Sequence, residues 1–264
     1  MNRWEYQYEW DITVSESDFV LRIFREKIRI VLSVWHDGAW RFEYEWIFKD
    51  RWDSVTTVRD LNTWPIWRDI FLKVGFAALI RWLLPRTIID YNRSMDGRAY
   101  QYYQSKSEKC EPALVDPKVD KYYQLFHQSI TDELLRAKQG FQSPLLLDIH
   151  GFSQQPDYSP PEGYDIILWT GNRRSIMPWS TIDRKLADFL YKSWYRVFLP
   201  EALPIRSGSD DIFDAGHITR YHSKHSEVSA IQIEISRKFR DPTHPEPTRK
   251  LVADISNFLD KEFS

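Results

Sequence analysis

Apolar residues along the chain follow two rhythms, and their alternation outlines a fold. The opening segment, through "FVLRIF", alternates polar and apolar residues, the period-two pattern of edge strands or a hairpin. "IRIVLSV" then runs apolar and β-branched and predicts a buried strand. Residues 63–83 have the apolar spacing of a helix. Their window "IFLKVGFAALIRWLLP" carries Lys73 and Arg81 and stops at Pro85, so it is too short and too charged to span a bilayer and predicts a core helix. "RTIIDYN" reads as a short strand, and a helix follows from about Lys118 to Lys138. "SPLLLDIH" is apolar on consecutive positions, as in strands buried on both faces. After the Pro-rich surface loop "SQQPDYSPPEG", "YDIILWT" predicts another strand. "STIDRKLADFLYKSWYRVF" predicts a helix with Ser180 as N-cap and Asp183 three residues on. "DAGHITRYHSKH" reads as a loop, "SAIQIEISR" as a strand, and "PEPTRKLVADISNFLDKEF" as a closing helix with Pro at its start. Strands alternating with helices argue for an α/β fold, a three-layer α/β/α sandwich around a mostly parallel mixed sheet. The expectation is one domain over residues 1–264, with 1–27 as an N-terminal β-hairpin extension at the sheet edge.

Composition narrows the class. At 264 residues the chain can bury a substantial core. With 36 basic and 38 acidic residues the formal net charge is −2, which gives no argument for a nucleic-acid or acidic-membrane partner. A lone cysteine, Cys110, excludes an intrachain disulfide and a zinc site built from several thiolates. The start "MNRWEYQYEW" lacks the apolar core of a signal peptide, so a cytoplasmic protein is expected. Twelve Trp and 14 Tyr suit large packed contacts or a ligand cleft. Oligomeric state is not legible in these features.

Chemistry-bearing residues gather at strand ends. "IVLSVWH" ends in His36, "LLLDIH" ends in His150, and "AIQIEI" places Glu234 near its end. Ligand sites in open α/β sheets form beyond the carboxyl ends of the strands. Two histidines and a glutamate delivered there could make a zinc site with a general base beside it. A histidine after a strand is more often a hydrogen-bonded loop residue, and Glu234 could as well be half of a structural ion pair. Asp148 is assigned to the opposite strand face from His150, and so to a structural or orienting role rather than to the same ion. "RTIIDYNR" concentrates Arg86, Asp90, Asn92 and Arg93, which could anchor an acidic substrate through bidentate Arg contacts or simply form a solvated turn. His217, His222 and His225 lie beside a Gly, a metal-rich look whose spacing is not diagnostic.

Taken in order, these segments resemble the N-formylglutamate amidohydrolase family. "VLSVWHDG" is similar to its strand ending in Pro-His-Gly-Gly or Pro-His-Ser-Gly, "PRTIIDYNR" to its Arg-x-x-x-Asp-x-Asn-Arg segment, and "LLLDIHGF" to its Asp-x-His-Ser. "YDIILWTGNRRS" looks like the strand and loop that follow, "DAGHITRYHS" like the Gly-Gly-Tyr-Ile-Thr-Arg segment, and "SAIQIEISRKF" like the closing Gln-x-Glu strand. The resemblance spans roughly residues 28 to 262 and implies the fold and site of the zinc carboxypeptidases and aspartoacylases. It implies one zinc ion held by His36 and His150, Glu234 as general base, Asn92 and Arg93 on the substrate carboxylate, and Arg220 on a second acidic group or the developing oxyanion. The third ligand is open between Asp60, Asp37, Glu43 and Glu45, with Asp60 preferred; a His-x-x-Glu spacing is absent because Ala39 follows His36 by three. Trp35, Asp37, Ala215, His217 and the order Tyr221-His222 also depart from the family pattern. The implied activity is hydrolysis of the amide C–N bond of an N-acyl amino acid such as N-formylglutamate, a small-molecule substrate. A carboxylate-binding protein without catalysis and a small-peptide carboxypeptidase are the alternatives.

Overall fold

The computed structural model describes residues 3–9, 12–17, 20–34, 62–82, 91–92, 94, 117–152, 163–200 and 215–264. In chain order they form β1 (Arg3–Glu9), β2 (Ile12–Ser17), β3 (Val20–Arg25), β4 (Ile30–Val34), α1 (Thr63–Lys73), β5 (Ala77–Trp82), α2 (Pro117–Gly140) and β6 (Leu145–Phe152). Then come β7 (Ile166–Trp169), α3 (Ile182–Lys192), β8 (Val197–Phe198), α4 (His217–Ser226), β9 (Ser229–Ser236), a 3-10 turn over Arg237–Phe239, and α5 (Pro245–Phe263).

Among the described residues nine strands make one sheet, ordered β1-β2-β3-β5-β4-β6-β9-β7-β8. Parallel pairing is concentrated in the centre, where β5, β4, β6 and β9 run side by side. β1, β2 and β3 form an antiparallel meander that joins the sheet through β3 and β5. At the other margin β7 runs antiparallel to β9. Alternate residues of the central strands serve two helix layers. Leu32 and Val34 of β4, Leu147 and Ile149 of β6, and Ile231 and Ile233 of β9 pack with α1, α3 and α5. Val31, Leu146 and Ala230 pack on the other face with Phe126, Ile130 and Leu134 of α2 and Ile218 of α4. The sandwich therefore has the three layers expected.

Four local expectations change. The helix expected over 63–83 stops at Lys73: Val74 turns extended (φ −94, ψ 113), its N–H still bonds Ile70 O, and the chain re-enters the sheet as β5. The short apolar run "FAALIRW" carries no period of its own, and pairing with β3 and β4 decides its state. The helix expected to reach Phe198 ends at Lys192, where Trp194 takes a left-handed conformation (φ 74) and Tyr195 N–H returns to Leu190 O. Its N-cap is Thr181 and not Ser180, and Asp183 is engaged by Arg173 at 2.9 Å. The segment read as a loop around His217 is the helix α4. The expected strand "RTIIDYN" and the Pro-rich loop lie mostly outside the described residues.

Candidate active site

The three central strands β4, β6 and β9 are parallel, so all deliver their carboxyl ends to one edge of the sheet. Their register sets two rows on the face toward α2 and α4. Ser33, Asp148 and Gln232 occupy one row; one step nearer the edge, His150 lies opposite Glu234. All five are buried. His36 lies two positions beyond Val34, where the described part of β4 ends; His36, Asp60 and Arg93 are outside the described residues, as are Asp37, Glu43 and Glu45.

Asp148 corrects the expectation made for it. Side chains two apart on a strand share a face, and His150 Nε2 lies 3.1 Å from Asp148 Oδ2. Ser33 Oγ donates to the other oxygen at 2.7 Å, and Thr219 Oγ1 of α4 stands 3.5 Å from Oδ2. With Asp148 as acceptor, the proton of a neutral His150 sits on Nε2 and leaves Nδ1 as the lone-pair nitrogen. That Nδ1 is 4.0 Å from Glu234 Oε1.

Glu234 is held from its other neighbour. Gln232 Nε2 donates to Glu234 Oε1 at 2.9 Å, while Gln232 Oε1 accepts the backbone N–H of Gly216 at 2.6 Å. The amide is thus fixed in one orientation, and the start of α4 is tied to the carboxylate. Beside Glu234 lies an apolar cluster of Ile167, its pair on β7, with Trp169, Phe152 at the end of β6 and Ala215 before α4.

Asn92 is buried against α4: its Oδ1 accepts Ile218 N–H at 3.0 Å and its backbone carbonyl accepts His217 N–H at 3.3 Å. A Cβ at Gly216 would stand 2.0–2.4 Å from the Asn92 amide, so this close approach requires glycine. Arg220, on α4, is exposed.

The remaining histidines of α4 diverge. His225 is exposed and faces Tyr221 O at 2.9 Å, whereas His222 is buried with Nε2 2.9 Å from Nδ1 of His127 on α2. His127 Nε2 faces Tyr91 O at 3.2 Å. A carbonyl only accepts, so His127 carries its proton on Nε2, and His222 Nε2–H donates to His127 Nδ1. Burial is the main reason both imidazoles resist protonation, with neighbouring histidines adding to it; His127 lies well below its usual range and His222 is pushed down to about 3. Among the described residues no group of three or more His, Cys, Asp or Glu is arranged to hold a metal ion.

Ser33, Thr219 and Gln232 were not singled out from sequence. Ser33 is the one polar residue of "IVLSV", and Gln232 stands two before Glu234 as Asp148 stands two before His150. Period two on adjacent strands was the available signal; Thr219 had none, because its helix was read as a loop.

The family model for N-formylglutamate amidohydrolase matches residues 55–239. The chain belongs to the N-formylglutamate amidohydrolase family. That makes it an amidohydrolase-family hydrolase of amide bonds. Among solved structures it is similar to an N-formylglutamate amidohydrolase from Ralstonia eutropha JMP134, at 16% identity over 92% of this chain and 99% of that one, with a TM-score of 0.66. It is similar also to a gene product of Agrobacterium tumefaciens, at 14% identity over 93% and 94% of the two chains, TM-score 0.67. A succinylglutamate desuccinylase from Chromobacterium violaceum shares the fold more loosely, at 11% identity over 99% and 71%, TM-score 0.50. No curated protein matches the chain. Among the described residues no helix is long and apolar enough to cross a membrane.

Proposed function

We propose that this amidohydrolase is zinc-dependent and cleaves the amide C–N bond of an N-acyl amino acid, N-formylglutamate being the first substrate to try. The observation that carries the reading is the His150–Glu234 pair, in register on adjacent parallel strands and separated by 4.0 Å. His36, Asp60 and His150 would hold the ion. What supports this donor set is the state of His150, whose Nε2 is occupied by a carboxylate while Nδ1 keeps its lone pair; a carboxylate behind a metal-binding histidine fixes its ring and raises its basicity. When bound, the ion supplies a nucleophilic water at neutral pH.

Glu234 is the general base. It takes a proton from the attacking water and returns it to the departing amine. Gln232 keeps Oε1 in place through an N–H that can point only that way. The apolar cluster of Phe152, Ile167 and Trp169 beside Glu234 limits bulk water, which strengthens every charge interaction at the edge. Arg93 reads the substrate carboxylate, and Asn92 joins it through Nδ2–H, since its Oδ1 serves α4. Arg220 takes a second acidic group.

The test is elemental mass spectrometry on tag-free protein together with hydrolysis of N-formylglutamate and N-succinylglutamate. Near one zinc per chain, lost in His150→Ala, with an amino acid released by the wild type alone, is the expected result. Stabilisation by N-acyl amino acids with no product formed identifies a binding protein and rejects the catalytic reading.

A further inference from the structure

The two strands that carry His150 and Glu234 are joined from behind by one cation. Arg240 follows the 3-10 turn after β9 and is buried. Its Nε donates to Ile235 O at 3.0 Å, and its Nη2 donates to Phe152 O at 3.1 Å. Those carbonyls belong to the penultimate residue of β9 and the last residue of β6, each within two positions of the proposed base or ligand. Gly151, between His150 and Phe152, makes room for the guanidinium: a Cβ there would stand 2.2 Å from Arg240 Cζ. Gly151 pairs with Ile235, a residue packed with α1 and α5, so Arg240 approaches from the face opposite to Glu234.

A third segment meets the same residue. Asn62, left-handed at φ 65 and N-cap of α1, donates its Nδ2–H to Arg240 O at 2.8 Å. Asp60 stands two positions before Asn62 in the chain.

We infer that Arg240 is a positioning residue that sets the separation of His150 and Glu234 from the back of the sheet. The inference rests on the reading of those two as ligand and base. The β6–β9 ladder runs only two pairs past His150 and Glu234, to Phe152 and Ser236, and Arg240 bonds both strands within that last stretch. A planar guanidinium with donors in a fixed fork can bridge two carbonyls at set angles, and a lysine ammonium on a flexible stem cannot. Ligand and base need their geometry held to within about half an ångström for full effect. Arg240 supplies that constraint without touching substrate.

Arg240→Met keeps the aliphatic stem and removes the donors; Arg240→Lys keeps the charge and loses the fork. Both are compared with wild type by thermal melting, by zinc affinity in competition with a chromophoric chelator, and by the imidazole nitrogen resonances of the metal-free chain, with His150 assigned through His150→Ala. The expected result is a zinc affinity lowered about tenfold or more in the Met variant, within the range for residues behind a metal ligand, and less in the Lys variant. The His150 resonance shifts while those of His127 and His222 stay in place. Wild-type zinc affinity in both variants with an unmoved His150 resonance overturns the inference. So does a general collapse in which every histidine resonance moves in both variants, which makes Arg240 a residue of stability alone. Should the wild type bind no zinc, the metal reading fails by itself, and the His150 resonance still decides what Arg240 does.

Discussion

Two buried histidine clusters lie on the same side of the sheet, and they differ in what surrounds them. His150 has carboxylates near both ring nitrogens, Asp148 at Nε2 and Glu234 at 4.0 Å from Nδ1. Among the described residues His127 and His222 are bonded to each other, to a backbone carbonyl and to the Thr131 hydroxyl, and to no carboxylate. In the first, two carboxylates stand beside the ring, a setting that favours a cation there. The second excludes one, because burial penalises the charge and the neighbouring imidazoles repel it. One residue type therefore serves a proposed reaction centre in one place and a neutral tie between α2 and α4 in the other.

Glu234→Gln should separate the two clusters most sharply. It removes the proposed base and should lower turnover by about 10²–10⁴, measured as amino acid released, while acid unfolding follows the wild type. Wild-type turnover in that variant takes Glu234 out of the mechanism.

Acid stability should depend on the neutral pair. In the folded chain both imidazoles stay uncharged well below the pH at which a solvated histidine protonates, about 6.5; in the unfolded chain both take up protons from that pH downward. The unfolded state then binds more protons, so stability is fully present above about pH 6.5 and is lost as pH falls toward 3. His222 adds to the slope across that window, and His127 acts in the same direction. Denaturant melts between pH 7 and pH 5 should show a shallower slope in the double variant His127→Phe, His222→Phe than in the wild type, and an unchanged slope in Glu234→Gln. Equal slopes in all three would mean that the pair is solvated.

His222→Ala at neutral pH leaves His127 Nδ1 buried without its donor and should cost about 1–3 kcal/mol in denaturant stability, with zinc content kept. Loss of zinc in that variant would join the two clusters into one unit. Thr219→Val is the mildest change. It removes a hydroxyl 3.5 Å from Asp148, a contact at the limit of a hydrogen bond, and should cost about 0.5 kcal/mol or less with turnover within twofold. A larger drop in turnover would give Thr219 a part in orienting Asp148.

Much of the frame was legible because it rests on short-range pattern. The consecutive apolar residues of "LLLDIH" announced a central strand, and the amphipathic spacing of "PEPTRKLVADISNFLDKEF" with Pro245 at its start announced α5 within a residue. The resemblance to the family, carried by six motifs in order, agrees with the match over residues 55–239. What failed was decided by tertiary pairing. Ala77–Trp82 has helix-compatible residues and becomes a strand because β3 and β4 flank it. Asp148 was misassigned by miscounting a period that its own strand obeys. Arg240 was invisible, since nothing in "RKFRDP" tells that its guanidinium turns back to two carbonyls, one of them 88 positions away.

The register of the central strands also sets when a site can come into being. Ser33 and Asp148, adjacent in space, are 115 positions apart in the chain, and Asp148 is paired on its other side with a strand that ends only at Ser236. A chain leaving the ribosome has the β4, β5 and β6 segments long before it has β9, and until then β6 shows an open edge with His150 on it. Loops of this length close slowly. The last strand to arrive brings Glu234 and covers that edge, with Arg240 close behind it in the chain, so completing the sheet and assembling the proposed site are a single event in the life of the chain.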